Sequence, residues 1–180
     1  MNVTVFGGSQ PKEGSQAYDE AAQLGRILAE RGHAVLTGGY IGTMEAVSRG
    51  ASEAGGHVIG VTCLEIERWR NSRANRWVKE ERQFETLRQR LDGLIDGCEA
   101  ALALPGGPGT LTEIALMWNL MIVESLPRRP LILIGRGWQS VFDQAYSALS
   151  DYYVAKQRAL LQFAPDILSA VKLLDESQQK

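Results

Sequence analysis

Short apolar runs alternate with longer helical periods along the whole chain, and this rhythm limits the fold more than any other property of the sequence. The runs lie at residues 3–6, 34–37, 57–62, 100–104, 131–134 and 160–163. Each leads toward a segment of helical spacing, at 15–31, 42–54, roughly 84–96, 110–124, 138–149 and 165–174, the last with Pro165 suited to a first helical turn. Strands separated by helices pair in parallel, and a parallel sheet needs helical cover on both faces. The expected fold is therefore α/β, a Rossmann-like doubly wound parallel sheet forming one domain over residues 1–180. A chain of this length buries roughly 70% of the surface its unfolded form exposes, so neither disulfides nor metal are needed to stabilise it.

Right-handed crossovers bring the carboxyl ends of such strands to one edge, where ligands bind in a crevice. Three glycine-rich turns fall at those ends: Gly7-Gly8-Ser9, Gly38-Gly39-Tyr40-Ile41-Gly42, and Pro105-Gly106-Gly107-Pro108-Gly109-Thr110. The third joins a strand to a helix, an arrangement that binds phosphate. Glycines without β-carbons let peptide N–H groups close on an anion, and the helix beginning near Gly109 aims its positive dipole end there. Gly8, Ser9, Gly38, Gly39, Gly42, Gly106, Gly107, Gly109 and Thr110 are the candidate nucleotide contacts. For Gly7 and Gly8 a plain tight turn explains the residues equally well; for Gly38, Gly39 and Gly42 packing competes with contact to phosphate or ribose. No GxGxxG follows the first strand and no GxxxxGK[ST] occurs, which disfavours a nicotinamide-dependent oxidoreductase and a P-loop ATPase or kinase.

Glu113 has two readings. Thr110-Leu111-Thr112-Glu113 fits a capping box, with Thr110 as the cap and Glu113 reaching back to it. A carboxylate three residues beyond a phosphate-binding turn also reaches a ribose hydroxyl or a water. The histidines, His33 and His57, each precede a strand and so fall at the edge opposite the crevice, which disfavours histidine acid–base chemistry.

Residues 63–83 break the rhythm as a long charged connection, the kind that covers a site or moves. From Arg68 to Arg90 the chain carries eight basic residues, nearly balanced by Glu65, Glu67, Glu80, Glu81 and Glu85, so most of them read as solvated surface. One or two arginines aimed into the crevice would suit phosphate or carboxylate, and Arg90 or Arg88 is the favoured candidate. The formal charge of −2 gives no general attraction to nucleic acid, and no apolar run approaches the ~20 residues a membrane span needs. Residues 1–8 read directly as a strand, and Cys63 and Cys98 form no CxxC pair, so an unexported chain in a reducing, cytoplasmic setting is expected. The segment 110–124 is apolar around nearly its whole circumference. It is expected to be buried on all sides by its own chain or by a second subunit, a homodimer being the natural partner arrangement.

These residues resemble a family, the LOG-type phosphoribohydrolases that activate cytokinins and are often labelled lysine decarboxylases. The resemblance runs from Val3 to about Leu174. PGGPGTLTE fits the family's PGGxGTxxE pattern at every fixed position, Arg90 stands at the spacing of its catalytic arginine, and TGGYIGTM with GGHVIGVT looks like its second nucleotide-binding segment. The resemblance implies hydrolysis of the N-glycosidic bond of an adenine-type nucleoside 5′-monophosphate to free base and ribose 5-phosphate, with no metal or organic cofactor. It implies Arg90 and Glu113 as the catalytic pair, with Gly106, Gly107, Gly109 and Thr110 holding the 5′-phosphate. The chain departs from the pattern at Glu45, where a glycine is usual, at Arg88 and Leu91 around the arginine, and in the 63–83 connection. Those departures leave a non-catalytic nucleotide-binding or sensing module as the alternative. A decarboxylase would need a Schiff-base lysine, and none of Lys12, Lys79, Lys156, Lys172 and Lys180 is an obvious candidate.

Overall fold

The computed structural model describes residues 1–178, leaving Lys180 outside them. Seven strands form one sheet: β1 (Asn2–Phe6), β2 (Ala34–Thr37), β3 (Val58–Cys63), β4 (Glu80–Phe84), β5 (Ala100–Ala103), β6 (Leu131–Ile134) and β7 (Gln162–Ala164). Their order is β4-β3-β2-β1-β5-β6-β7 and every pairing is parallel. The helices are α1 (Gln16–Glu30), α2 (Thr43–Glu53), α3 (Leu64–Arg70), α4 (Leu87–Asp96), α5 (Pro108–Ile122), α6 (Arg136–Ala148), α7 (Ala155–Arg158) and α8 (Ile167–Ser177).

Central strands such as Ala100–Ala103 and Leu131–Ile134 are buried at every residue, as a sheet covered on both faces requires. Successive side chains leave a strand on opposite faces, so β1 feeds two cores. Val3 and Val5 join Leu24 of α1, Val47 of α2 and Val171 of α8 on one face. On the other face Ala101 and Ala103 join Leu94 of α4, Ile114 and Met117 of α5 and Phe142 of α6. Thr4, between the two valines, is fully buried and donates its hydroxyl to the Leu94 carbonyl at 2.8 Å, so its polar group is satisfied.

The 63–83 connection is more ordered than its composition suggests. It holds α3 and the edge strand β4, which pairs only with β3. The sequence of β4, Glu-Glu-Arg-Gln-Phe, shows no apolar alternation because charge at a sheet edge discourages pairing with other chains. Helix α4 starts at Leu87 rather than near Phe84, with Thr86 and Gln89 forming a capping box. Helix α8 starts at Ile167: the Asp166 carboxylate accepts from the Ser169 N–H at 2.8 Å as its cap, and Pro165 lies just before it.

Helix α5 also corrects one expectation. It starts at Pro108 with Gly107 as N-cap, so Thr110 is already inside the helix and no capping box joins it to Glu113. Its own chain leaves Leu111 and, just past the helix end, Val123 exposed, at 42% and 59%. His33 and His57 precede β2 and β3 at the amino edge, where His57 Nε2 lies 2.8 Å from Glu80. Among the described residues no helix is long and apolar enough to cross a membrane.

Candidate active site

Strands β1 and β5 are neighbours, yet the helices that follow them, α1 and α5, cover opposite faces of the sheet. Their loops diverge there and leave a crevice at the carboxyl ends, the usual ligand position in open α/β sheets. The Gly7-Gly8-Ser9 turn and the turn into α5 meet across it, close enough that a Cβ on Gly8 would lie 3.3 Å from Gly106 Cα. A cavity of about 470 Å³ opens at this point. One wall is Gly8, Ser9, Gly107, Gly109, Thr110 and Glu113; Arg90, Tyr40 and Met44 line its interior, and α3 overhangs it through Ile66, Trp69 and Arg70.

The capping box at Thr86 and Gln89 sets the phase of α4, and that phase turns Arg90 inward while Arg88 stays exposed. Arg90 is only 5% exposed. Its Nε donates to the Val61 carbonyl at 2.8 Å and its Nη2 to the Gly38 carbonyl at 3.3 Å. The guanidinium lies 5.6 Å over the Tyr40 ring, an attraction that strengthens on desolvation. Tyr40 is itself fixed, its hydroxyl accepting from the Cys63 N–H at 2.8 Å and donating to the Cys63 carbonyl at 3.1 Å. Arg90 is thus held on three sides, and Nη1 is left facing Glu113 Oε1 at 3.8 Å.

Glu113 is 8% exposed. At 3.8 Å the guanidinium attracts the carboxylate without a direct hydrogen bond. Burial pushes its pKa from 4.5 up to about 7, against the opposing pull of Arg90. A carboxyl group poised near neutrality beside a fixed cation, in a cleft, is an arrangement suited to proton transfer and charge stabilisation.

The two turns that precede helices differ in what they leave free. At α5, Pro108 has no N–H and the Leu111 N–H goes to Gly107 O at 3.1 Å, so the Gly109 and Thr110 N–H groups lie outside the helical ladder. A Cβ on Gly107 or Gly109 would meet nothing within 4 Å, so this end is open to an anion. At α2, the Thr43 N–H and hydroxyl both donate to the Gly8 carbonyl, at 2.9 and 3.0 Å.

The candidate contacts therefore divide. Gly8, Ser9, Gly107, Gly109 and Thr110 line the cavity, whereas Gly38, Gly39, Gly42 and Gly106 do not. Gly38 backs Arg90, where a Cβ would come to 2.0 Å from Nη2. The Asn75 amide holds the carbonyls of Gly39 and Tyr40, both at 3.0 Å. Gly42 packs on the first turn and Gly106 on Thr110. Glu45 faces a neighbouring cavity with Lys12 and Glu13, not the one holding Arg90 and Glu113. Leu91 is half-buried outside the lining, and Arg70 rather than Arg88 is the second arginine at the crevice. Sequence reasoning missed Tyr40, Met44, Ile66, Trp69 and Leu87. Tyr40 lies within the second glycine turn and Met44 just after it, whereas the α3 residues sit in a segment too short and charged to show a period. Among the described residues, no group of three or more His, Cys, Asp or Glu is placed to hold a metal ion.

A parallel doubly wound sheet with an open helix start and a buried Arg–Glu pair at its switch point defines a Rossmann-like α/β domain with its crevice at the carboxyl ends of the strands. The SLOG cluster4 family model matches residues 1–157, and the chain belongs to this family. It is 30% identical over 178 residues to cytokinin riboside 5′-monophosphate phosphoribohydrolase LOG4 of Arabidopsis thaliana, covering 97% of this chain and 81% of that protein. It is 34% identical over 128 residues to the probable cytokinin riboside 5′-monophosphate phosphoribohydrolase LOGL5 of Oryza sativa subsp. japonica, covering 69% of this chain and 51%, about half, of the rice protein. The X-ray structure of TM1055 is similar at TM-score 0.75 and 26% identity, covering 97% of this chain and 98% of that one. The molybdenum cofactor carrier protein of Chlamydomonas reinhardtii shares the fold at TM-score 0.75 and 23% identity, over 99% and 98% of the chains.

Proposed function

We propose that the protein is a nucleoside 5′-monophosphate phosphoribohydrolase, an enzyme that hydrolyses the N-glycosidic bond of a purine nucleotide, with adenine or an N6-substituted adenine as the base. The observation that carries this reading is the buried Arg90–Glu113 pair on the wall of the cavity that α5 opens into. The names of the Arabidopsis and rice relatives support the same reaction class. The 5′-phosphate sits on the free N–H groups of Gly109 and Thr110, at the positive end of α5. Departure of the base builds positive charge on the ribose. The ionised Glu113 stabilises that charge and orients the attacking water, as one carboxylate does in glycoside hydrolysis. Arg90, held by Val61, Gly38 and Tyr40, keeps the carboxylate in place and anchors the sugar-phosphate. No metal or organic cofactor enters this scheme.

The same reading includes a homodimer formed over the exposed apolar side of α5, through Leu111 and Val123, with a small nucleotide rather than nucleic acid or membrane as the other partner. Sedimentation of the wild type and of Val123→Glu checks the dimer, which the charge disrupts. The activity is tested by chromatographic detection of free base from a panel containing AMP, isopentenyladenosine monophosphate and other nucleotides. Base release that disappears in Arg90→Ala and Glu113→Ala, both still folded by circular dichroism, is the expected result. Nucleotide binding with no base released from any of them overturns it in favour of a sensing module.

A further inference from the structure

Helix α3 contributes no buried residue to the core, yet its position is specified. The Glu65 carboxylate accepts from the Leu87 N–H at 2.7 Å, and the Glu67 carboxylate accepts from the Gln83 amide at 3.2 Å. These tethers attach one side of the helix to β4 and α4. Ile66, Trp69 and Arg70, spaced i, i+3, i+4 and so on a common face, all line the cavity. Trp69 is 76% exposed, and the Arg70 guanidinium lies 4.9 Å over its ring.

The cavity has two chemistries. Toward α5 it presents Ser9, Gly107, Gly109 and Thr110; toward α3 it presents Ile66, Trp69, Leu87 and Met44. Ile66, Leu87 and Met44 carry no nitrogen or oxygen in their side chains, and the Tyr40 hydroxyl is committed in both directions to Cys63. Arg90 and Glu113 join the two ends, since Arg90 touches Tyr40 and Met44 while Glu113 projects from α5. A ligand with an anion at one end, a flat aromatic group at the other and the reacting bond between them matches this order.

We propose that α3 is the base-binding cap of this site and that Trp69 is the side chain on which the nucleobase stacks, its ring held by Arg70. Selection then acts on the area of the base, because the surrounding side chains offer few groups to read its edge. The proposal rests on the phosphoribohydrolase reading only in placing a nucleotide in the cavity, so its test measures binding. Calorimetry on the full chain carrying Glu113→Gln gives affinities for AMP, GMP and UMP, and for ribose 5-phosphate, which has no base. Stacking on an aromatic is worth roughly 1–3 kcal/mol per base, so Trp69→Ala weakens AMP about fivefold or more. Ribose 5-phosphate binding stays within twofold, and Trp69→Phe recovers most of the AMP affinity. AMP and GMP bind within tenfold of one another, and UMP binds more weakly than either. Equal losses for AMP and ribose 5-phosphate, no loss for either, or a purine preference beyond tenfold would overturn the proposal. So would a Trp69→Ala protein whose sedimentation changes while its AMP affinity does not, since Trp69 would then face a second copy. Tight AMP binding that depends on Trp69, combined with no base release by the wild type, would remove the hydrolase reading and leave the cap standing.

Discussion

Helices α2 and α5 both begin at glycine turns on the same edge of the sheet, and the two turns do opposite things. At α2 the turn is filled by the protein itself: Thr43 gives its N–H and hydroxyl to Gly8, Glu45 occupies the first helical turn, and Gly38 makes room for Arg90. At α5 Gly106 packs on Thr110, while Gly107 and Gly109 face open space. A glycine whose added Cβ would strike protein is explained by packing. One whose Cβ would strike nothing is not explained by packing, and at Gly107 and Gly109, which line the cavity, close approach of a ligand is the reason we propose. The α2 turn builds the arginine side of the site, and the α5 turn is the one we propose to receive the anion.

The largest effect that tests this division is on turnover. Replacing the carboxylate proposed to act on the ribose, Glu113→Gln, lowers kcat by about 10³-fold while nucleotide binding persists, measured by steady-state base release. The same variant changes the pH dependence of folding. Because the folded pKa of about 7 lies above the ordinary 4.5, the folded state holds this proton more tightly than the unfolded chain. Its contribution is complete below about pH 4.5 and is lost as pH rises through about 7. The separation is worth about 3 kcal/mol. Denaturant unfolding at pH 5 and pH 8 should show the wild type losing about that much more stability than Glu113→Gln. In active protein the pH profile of kcat/KM rises through about pH 7, as the ionised carboxylate forms.

Two glycine substitutions then separate the turns. Gly42→Ala places a Cβ 2.5 Å from the Gly8 carbonyl oxygen at a residue with φ of +77°, so it costs about 1–3 kcal/mol in denaturant unfolding. Gly109→Ala meets no protein atom, and its stability stays within about 0.5 kcal/mol of wild type, whereas KM for the nucleotide rises about tenfold as the methyl group obstructs the phosphate. The smallest effect belongs to Glu45→Gln. Its side chain lines the neighbouring cavity, so KM changes by less than about twofold; a larger change would join the two cavities functionally.

Six strands were legible because each lies in a mostly apolar run between helical periods, which in the central strands is the signature of burial on both faces and which even the edge strand β7 keeps through Leu160, Leu161 and Phe163. β4 was not, since an edge strand with one partner carries Glu80, Glu81 and Arg82 where a central strand carries valine or leucine. The glycine turns were legible as a group, but their separate roles were not. Whether Gly38 meets a ligand or Arg90 depends on residues 52 positions apart in the chain. Glu113 illustrates the same limit. Its spacing from Thr110 suits a capping box, and only the helix start at Pro108, set by Gly107, removes that reading.

Periodicity and turn composition, which are local, were enough to specify a parallel α/β sheet with a glycine-rich turn after β5, the strand that pairs with β1. The PGGPGTLTE pattern and the Arg90 spacing also nominated the two side chains that the fold brings together on the cavity. Their chemistry came from the fold alone. Burial raises the Glu113 pKa, carbonyls of Val61 and Gly38 with the Tyr40 ring immobilise Arg90, and the short helix α3 brings Trp69 over the cavity. Desolvation and long-range hydrogen bonds depend on which distant segments become neighbours, and no window of the sequence contains that information.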